Sequence, residues 1–289
     1  MRVFTVCNHK GGTGKTTSVI HIAAAMGLSG HRTLVIDLDP QGFLTRTMGV
    51  DPEHCTDTAL SLFDPDANLW TCDTVSMNGF DLLPSSNRLT REMRDLNKPT
   101  DVLWIREAME RPADDSPSSN GSARMASAYD VILFDTAAAV TVYSLNALVA
   151  SKYAVIPVLP EYQSVVGAEQ TYQTVAMVRK QLNPRLHPSM FLFTQVDERK
   201  RLHSAYRSYI RKKYTHRVLD TVIRTSTSLT EASEDGETVF DSDPHSKGAR
   251  NYANATDELL RKAQAYENEE DRAQPASVSS SSSETPSLS

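Results

Sequence analysis

Short, almost uninterrupted apolar runs recur along the chain, spaced widely enough for a helix to fit between most of them. Val3 to Cys7 (VFTVC) is too evenly apolar for a strand with one wet face, and it runs into a glycine loop and then the helical stretch Ser18 to Leu28. Thr33 to Asp37, Tyr129 to Asp135, Lys152 to Val158 and Met190 to Val196 repeat the signal, each predicting a buried strand. Alternating β and α elements of this kind predict an α/β domain. Its sheet should be mostly parallel and twisted, flanked by helices on both faces.

Two segments break the rhythm. Residues 111–127 (RPADDSPSSNGSARMAS) are rich in Pro, Ser, Asp and Gly and predict a flexible surface insertion. Residues 266–289 end in SSSSSETPSLS and carry five acids against one base, which predicts a disordered, acidic, Ser-rich tail after a domain of residues 1–265. The whole chain has 289 residues and a net charge of -6, so any nucleic-acid binding must come from a local patch. The three cysteines, Cys7, Cys55 and Cys72, lack the spacing of a zinc or iron–sulfur site. Neither a signal-peptide h-region nor a membrane span is legible, so a cytoplasmic protein is expected.

The first loop reads Lys10-Gly11-Gly12-Thr13-Gly14-Lys15-Thr16-Thr17. His9 stands where a strict G-x-x-x-x-G-K-[ST] pattern has its first glycine, yet the physics of a phosphate loop is intact. Glycines let backbone N–H groups turn inward as an anion nest at a helix N-terminus. Lys15 can then reach the β- and γ-phosphates of a nucleotide, and the Thr16 hydroxyl can ligate Mg2+. Lys10 is surplus to that task, because Lys15 already supplies the cation. This arrangement resembles the deviant Walker A motif of the ParA/MinD family of ATPases. The resemblance implies ATP and Mg2+ as cofactors, and a dimer in which Lys10 reaches the partner's nucleotide.

Carboxylates at strand ends extend the resemblance. Asp37-Leu38-Asp39-Pro40-Gln41-Gly42 resembles the family's D-x-D-P-Q-G switch segment, which implies that Asp39 positions the attacking water while Asp37 lies near the magnesium shell. The apolar run YDVILFD closes on Asp135, as a Walker B strand does, placing a carboxylate to hold a magnesium-bound water opposite Thr16. Relatives follow this acid with two prolines, where this chain has Thr136-Ala137-Ala138-Ala139, so the coupling loop is expected to be more mobile. Relatives enclose adenine with Pro-Arg-Asn after a T-V-I run; here Arg224, Thr225 and Ser226 stand there.

Eight cations with no acid between them crowd residues 199–217: Arg199, Lys200, Arg201, Arg207, Arg211, Lys212, Lys213 and Arg217. A helix over Ser204 to Tyr214 would bury Leu202, Tyr206, Tyr209 and Ile210 as a stripe and present Arg207 and Arg211 to a phosphate backbone. By the resemblance, the ATP-bound homodimer coats double-stranded DNA non-specifically through this surface. Slow ATP hydrolysis, stimulated by a ParB-like centromere-binding protein, releases it. The expected function is plasmid or chromosome partition by a nucleoid-associated ATPase. No helix-turn-helix segment stands ahead of the loop, so operator-specific autoregulation is not expected. The alternative is a MinD-like or other cargo-positioning ATPase; a MinD-like one needs a basic amphipathic C-terminal helix, whereas ATDELLRKAQAYENEEDRA is acidic. No membrane partner is therefore expected.

Overall fold

The computed structural model describes residues 1–92, 98–112 and 129–273. Among the described residues, seven strands run β1 (Arg2–Val6), β2 (Thr33–Asp37), β3 (Val75–Ser76), β4 (Asp81–Leu83), β5 (Val131–Asp135), β6 (Tyr153–Val158) and β7 (Met190–Phe193). They form one sheet in the order β3-β4-β2-β5-β1-β6-β7, parallel except for β3, which pairs antiparallel with β4 at the edge. The helices are α1 (Lys15–Leu28), α2 (Phe43–Thr47), α3 (Leu89–Glu92), α4 (Trp104–Glu110), α5 (Val142–Ala150), α6 (Tyr162–Gln181), α7 (Arg201–Tyr214), α8 (Thr227–Asp235), α9 (Val239–Ser242) and α10 (Lys247–Ala273).

The apolar continuity of the strands follows from burial on both faces. On β5, Val131 and Leu133 point to one side, where they join Phe4, Val6 and the apolar faces of α1 and α10. Ile132 and Phe134 point to the other, against Tyr143 and Ala147 of α5 and Ile105 and Ala108 of α4. Each fully buried side chain of this size contributes about 1.5–3 kcal/mol, so one-sided cover would leave half of that gain unrealised. The parallel sheet flanked by helices on both faces agrees with the sequence pattern.

Strand ends differ from expectation at β7, which stops at Phe193 rather than Val196. Gln195 has φ 50°, a left-handed value that ends extended pairing and turns the chain toward the first loop. The pair β3 and β4, two and three residues long, was not anticipated, because such short segments carry no readable period.

The long α10 packs along α1 through Tyr252, Ala255, Leu259 and Ala263, all buried. The tail expected from residue 266 begins no earlier than the end of this helix, since residues 266–273 are still helical. Apolar and ionic contacts hold them: Tyr266 stacks on His187 with centroids 4.7 Å apart, and Glu267 pairs with Arg2 at 2.8 Å and accepts from the Tyr153 hydroxyl at 3.0 Å. The remaining tail residues, and all but 111–112 of the expected insertion, lie outside the described residues. Among the described residues no helix is long and apolar enough to cross a membrane.

Candidate nucleotide-binding site

The candidate groups converge where the carboxyl ends of β1, β2, β5 and β7 meet the start of α1, the crevice in which open parallel sheets bind ligands. Gly12 and Gly14 adopt φ 75° and 78°, which lets the loop fold back over the helix end. Helix α1 starts at Lys15 with no acid in its first turn and no side-chain cap at Gly14, leaving its positive end open to an anion. Lys15 is only 7% exposed, and its Nζ lies 3.4 Å from the Lys10 carbonyl oxygen. Burial pushes its pKa down, and the facing carboxylates of Asp135 and Asp39 push it back up. Lys10 itself is exposed, beside Gly11 at the loop's outer edge, while Thr13 is buried and its carbonyl accepts from Thr194 Oγ1 at 2.9 Å.

Adjacent strands put Asp37 and Asp135 in register, both without solvent exposure. Asp37 is satisfied: Oδ2 accepts from Thr45 N at 3.0 Å and Thr45 Oγ1 at 2.7 Å, and Oδ1 from Asp39 N at 3.1 Å. Burial, offset by those hydrogen bonds, leaves its pKa at about 6. Asp135 Oδ2 accepts from Thr16 Oγ1 at 2.8 Å, but its buried Oδ1 has no partner among the described residues. Burial, then the neighbouring Asp37, pushes its pKa well up. An unpaired carboxylate oxygen beside a threonine hydroxyl, at the mouth of a phosphate loop, is a donor set that fits Mg2+. This ion takes one or two carboxylates and completes its octahedron with water and phosphate oxygens. That preference accounts for the absence, among the described residues, of any cluster of three or more acidic, His or Cys ligands. Asp37, on the adjacent strand β2, has both oxygens engaged by Thr45 and the Asp39 amide.

Asp39 is 9% exposed, its Oδ1 accepting from Gln41 N at 2.9 Å and its carbonyl from Ser85 Oγ at 2.6 Å. Ser85 N in turn donates to Thr45 Oγ1 at 2.8 Å, so Ser85 and Thr45 together brace both aspartates. A cavity of about 350 Å3 opens next to Gly14 and Thr17, walled by Thr194, Gln195, Arg224, Thr225, Ser226 and Tyr252, with room for a nucleoside. The Arg224 guanidinium is drawn to Glu198 at 2.9 Å, and its amide donates to Asn251 Oδ1 at 3.0 Å. Sequence reasoning missed Asn8, Thr45, Ser85, Thr171, Thr194 and Gln195. Only Thr194 and Gln195 carry a signal, because they follow directly on an apolar strand at its ligand-facing end.

The basic segment is less uniform than its sequence. Helix α7 buries His203 and Ile210 and half-buries Tyr206 and Tyr214, at steps of three and four, whereas Leu202 and Tyr209 are exposed. The expected stripe was therefore displaced: Tyr209 turns outward because its hydroxyl reaches Glu169 at 3.2 Å, and His203 is held inside by accepting from Asp197 N at 3.1 Å. Arg207 and Arg211 do not project freely. Both are half-buried; Arg211 binds the Leu219 and Asp220 carbonyls at 3.2 and 3.1 Å, and burial pushes the Arg207 pKa down. Arg199 pairs with Asp197 at 3.0 Å, Lys213 with Glu169 at 2.6 Å, and Arg217 lies over the Tyr172 ring. Lys200, Arg201 and Lys212 are exposed and, among the described residues, enter no ion pair.

Comparison with known proteins matches residues 1–188 to a family model described as an AAA domain. The chromosome-partitioning ATPase Soj of Thermus thermophilus is 32% identical over 91% of this chain and 97% of its own length. The sporulation initiation inhibitor protein Soj of Bacillus subtilis is 29% identical over 89% and 98%. Among solved structures, cobyrinic acid a,c-diamide synthase of Mycobacterium smegmatis with bound ADP and magnesium aligns with a TM-score of 0.73 and 26% identity, covering 92% of this chain and 96% of that one. Because the likeness runs the full length of these relatives and is not confined to the loop, the chain belongs to the ParA/Soj family of P-loop ATPases.

Proposed function

We propose that the chain is a ParA-type ATPase of DNA segregation, serving a plasmid or a chromosome. ATP is the substrate, taken with Mg2+ as cofactor. The carrying observation is the contrast between two lysines of one loop: Lys15 buried against the phosphate nest, and Lys10 exposed at its outer edge. A cation not needed within its own subunit is available to a second nucleotide when two copies close face to face.

In that reading the loop amides of Gly11 to Gly14 and the start of α1 cradle the phosphates, with Thr13 and Thr17 beside them, and Lys15 neutralises the γ-phosphate in cis. Thr16 and Asp135 would hold the magnesium ion, with Asp37 behind them; bound there, it draws charge from the phosphate oxygens. Asp39 orients the water for in-line attack. Lys10 of the partner subunit adds charge stabilisation in trans, the role an arginine finger has elsewhere. The closed dimer holds DNA non-specifically through the α7 region, and the patch doubles only in the ATP state, so affinity follows the nucleotide by avidity. A ParB-like partner stimulates slow turnover, and the protein works in the cytoplasm on the nucleoid.

The test is a duplex-DNA titration with ATP, ADP and no nucleotide at two salt concentrations. Retention only with ATP, weakening steeply with salt, is expected. Equal retention in all three states would remove DNA from the cycle, and ATP-dependent retention on anionic vesicles instead of DNA would favour membrane positioning.

A further inference from the structure

We propose that Gly167 and Thr171 of α6 are positioning residues for Lys10, fixing the root from which its side chain leaves the loop; the proposal rests on the reading of Lys10 as a cation acting in trans.

A lysine has four rotatable bonds, so a trans role is precise only if its backbone is held. Three separate contacts hold this one. Asn8, buried at the end of β1, donates from Nδ2 to the Pro157 carbonyl of β6 at 2.7 Å and accepts the Lys10 amide on Oδ1 at 2.9 Å. Thr171, buried on α6, accepts the His9 amide on Oγ1 at 3.0 Å and donates to the Gly167 carbonyl at 2.8 Å. Gly167 lies against the lysine itself. A methyl group there would sit 3.0 Å from Lys10 Cβ, 3.5 Å from Asn8 Oδ1 and 3.7 Å from the Lys10 amide nitrogen.

The two amides ahead of the glycines are thus taken by side chains, and α6 approaches Lys10 Cβ so closely that a methyl group at Gly167 would make the lysine root give way by a few tenths of an ångström. None of these contacts touches Thr16, which bonds Asp135, and Lys15 meets Lys10 only through the carbonyl, on the glycine side of the held amide. Disturbing them should turn the side-chain root of Lys10 while the Thr16–Asp135 pair and the Thr194 bond to the Thr13 carbonyl hold the glycine turn and the start of α1 in place. A misplacement of about 1 Å in a group acting on the transition state can cost roughly 100-fold in rate.

Gly167→Ala, Gly167→Val, Thr171→Val and Thr171→Ser in the full-length chain test this, read by Mg–ATP turnover, by the Kd of a non-hydrolysable ATP analogue, and by the thermal midpoint. Gly167→Val should lose on the order of 100-fold in turnover, Gly167→Ala less. The analogue should bind within about threefold of the parent, since ground-state contacts are kept. Alanine is the better helix former, so the Gly167→Ala midpoint should hold or rise while turnover falls, a divergence that loss of structure does not produce. Thr171→Val should lose turnover and Thr171→Ser keep it, because the hydroxyl is the acting group. On the residual turnover of Lys10→Ala, Gly167→Val should add no further loss.

Parental turnover in Gly167→Val, analogue affinity falling in step with rate, or a full further loss in the Lys10→Ala background overturns the proposal. Normal turnover in Lys10→Ala sinks the trans reading itself, whereas a dead Lys10→Ala beside an active Gly167→Val sinks only the positioning role.

Discussion

Asp135 Oδ1 is the atom on which the nucleotide site is most exposed to test, because a buried carboxylate oxygen without a donor is costly unless a cation arrives. Asp135→Asn keeps an acceptor for Thr16 and removes the charge. Magnesium-dependent affinity for ATP should fall about tenfold or more, while the nucleotide-free protein melts no lower than the parent; a lower melting point would show that the carboxylate is structural. A second titrating residue is His21 of α1, whose ring donates to the Thr17 carbonyl at 2.7 Å and stacks on Tyr252 at 4.9 Å. Burial pushes its pKa down from 6.5 to about 4. Between those values the unfolded chain binds the proton and the folded one does not. Stability present above pH 6.5 is therefore lost as pH falls through this window, by at most about 3 kcal/mol. His21→Phe should flatten the fall of the thermal midpoint between pH 6.5 and 4; an unchanged slope would assign the acid sensitivity elsewhere. Residues such as Lys15, Thr16 and Asp135 were legible in the sequence because motif and strand end coincide. Asn8 and Thr171 were not, because their bonds to the loop depend on a partner some 163 residues away, as the Thr171–Asn8 approach shows.

At the scale of elements, five strands and the first helix announced themselves through apolar runs, since a strand covered on both faces leaves no polar alternation to misread. Helix α7 was the harder case. Its period is correct, but residue type misassigned its faces: a buried His203 reads as polar, and an outward Tyr209 reads as core. The cations divide accordingly. Arg211 caps the Leu219 and Asp220 carbonyls, so Arg211→Ala should lower stability by about 1–3 kcal/mol, seen as a lower thermal midpoint. Arg201 and Lys212 stand clear of such duties. Arg201→Glu with Lys212→Glu should leave folding intact and flatten the slope of log K against log salt by about 0.9 per lost phosphate contact. An unchanged slope would move the DNA surface away from α7.

For the whole molecule, every group of the candidate site lies at one end of the sheet, and the tail end of α10 is fastened at the other through Arg2, Tyr153 and His187. ATP, but not ADP, is expected to close two copies over their nucleotides. The most direct measurement is the solution mass, by sedimentation equilibrium, of Asp39→Ala, a variant expected to bind ATP without hydrolysing it. With saturating Mg–ATP the expected mass is twice the chain mass of 31.9 kDa, and with ADP the chain mass alone. A mass of 31.9 kDa in both states would contradict it.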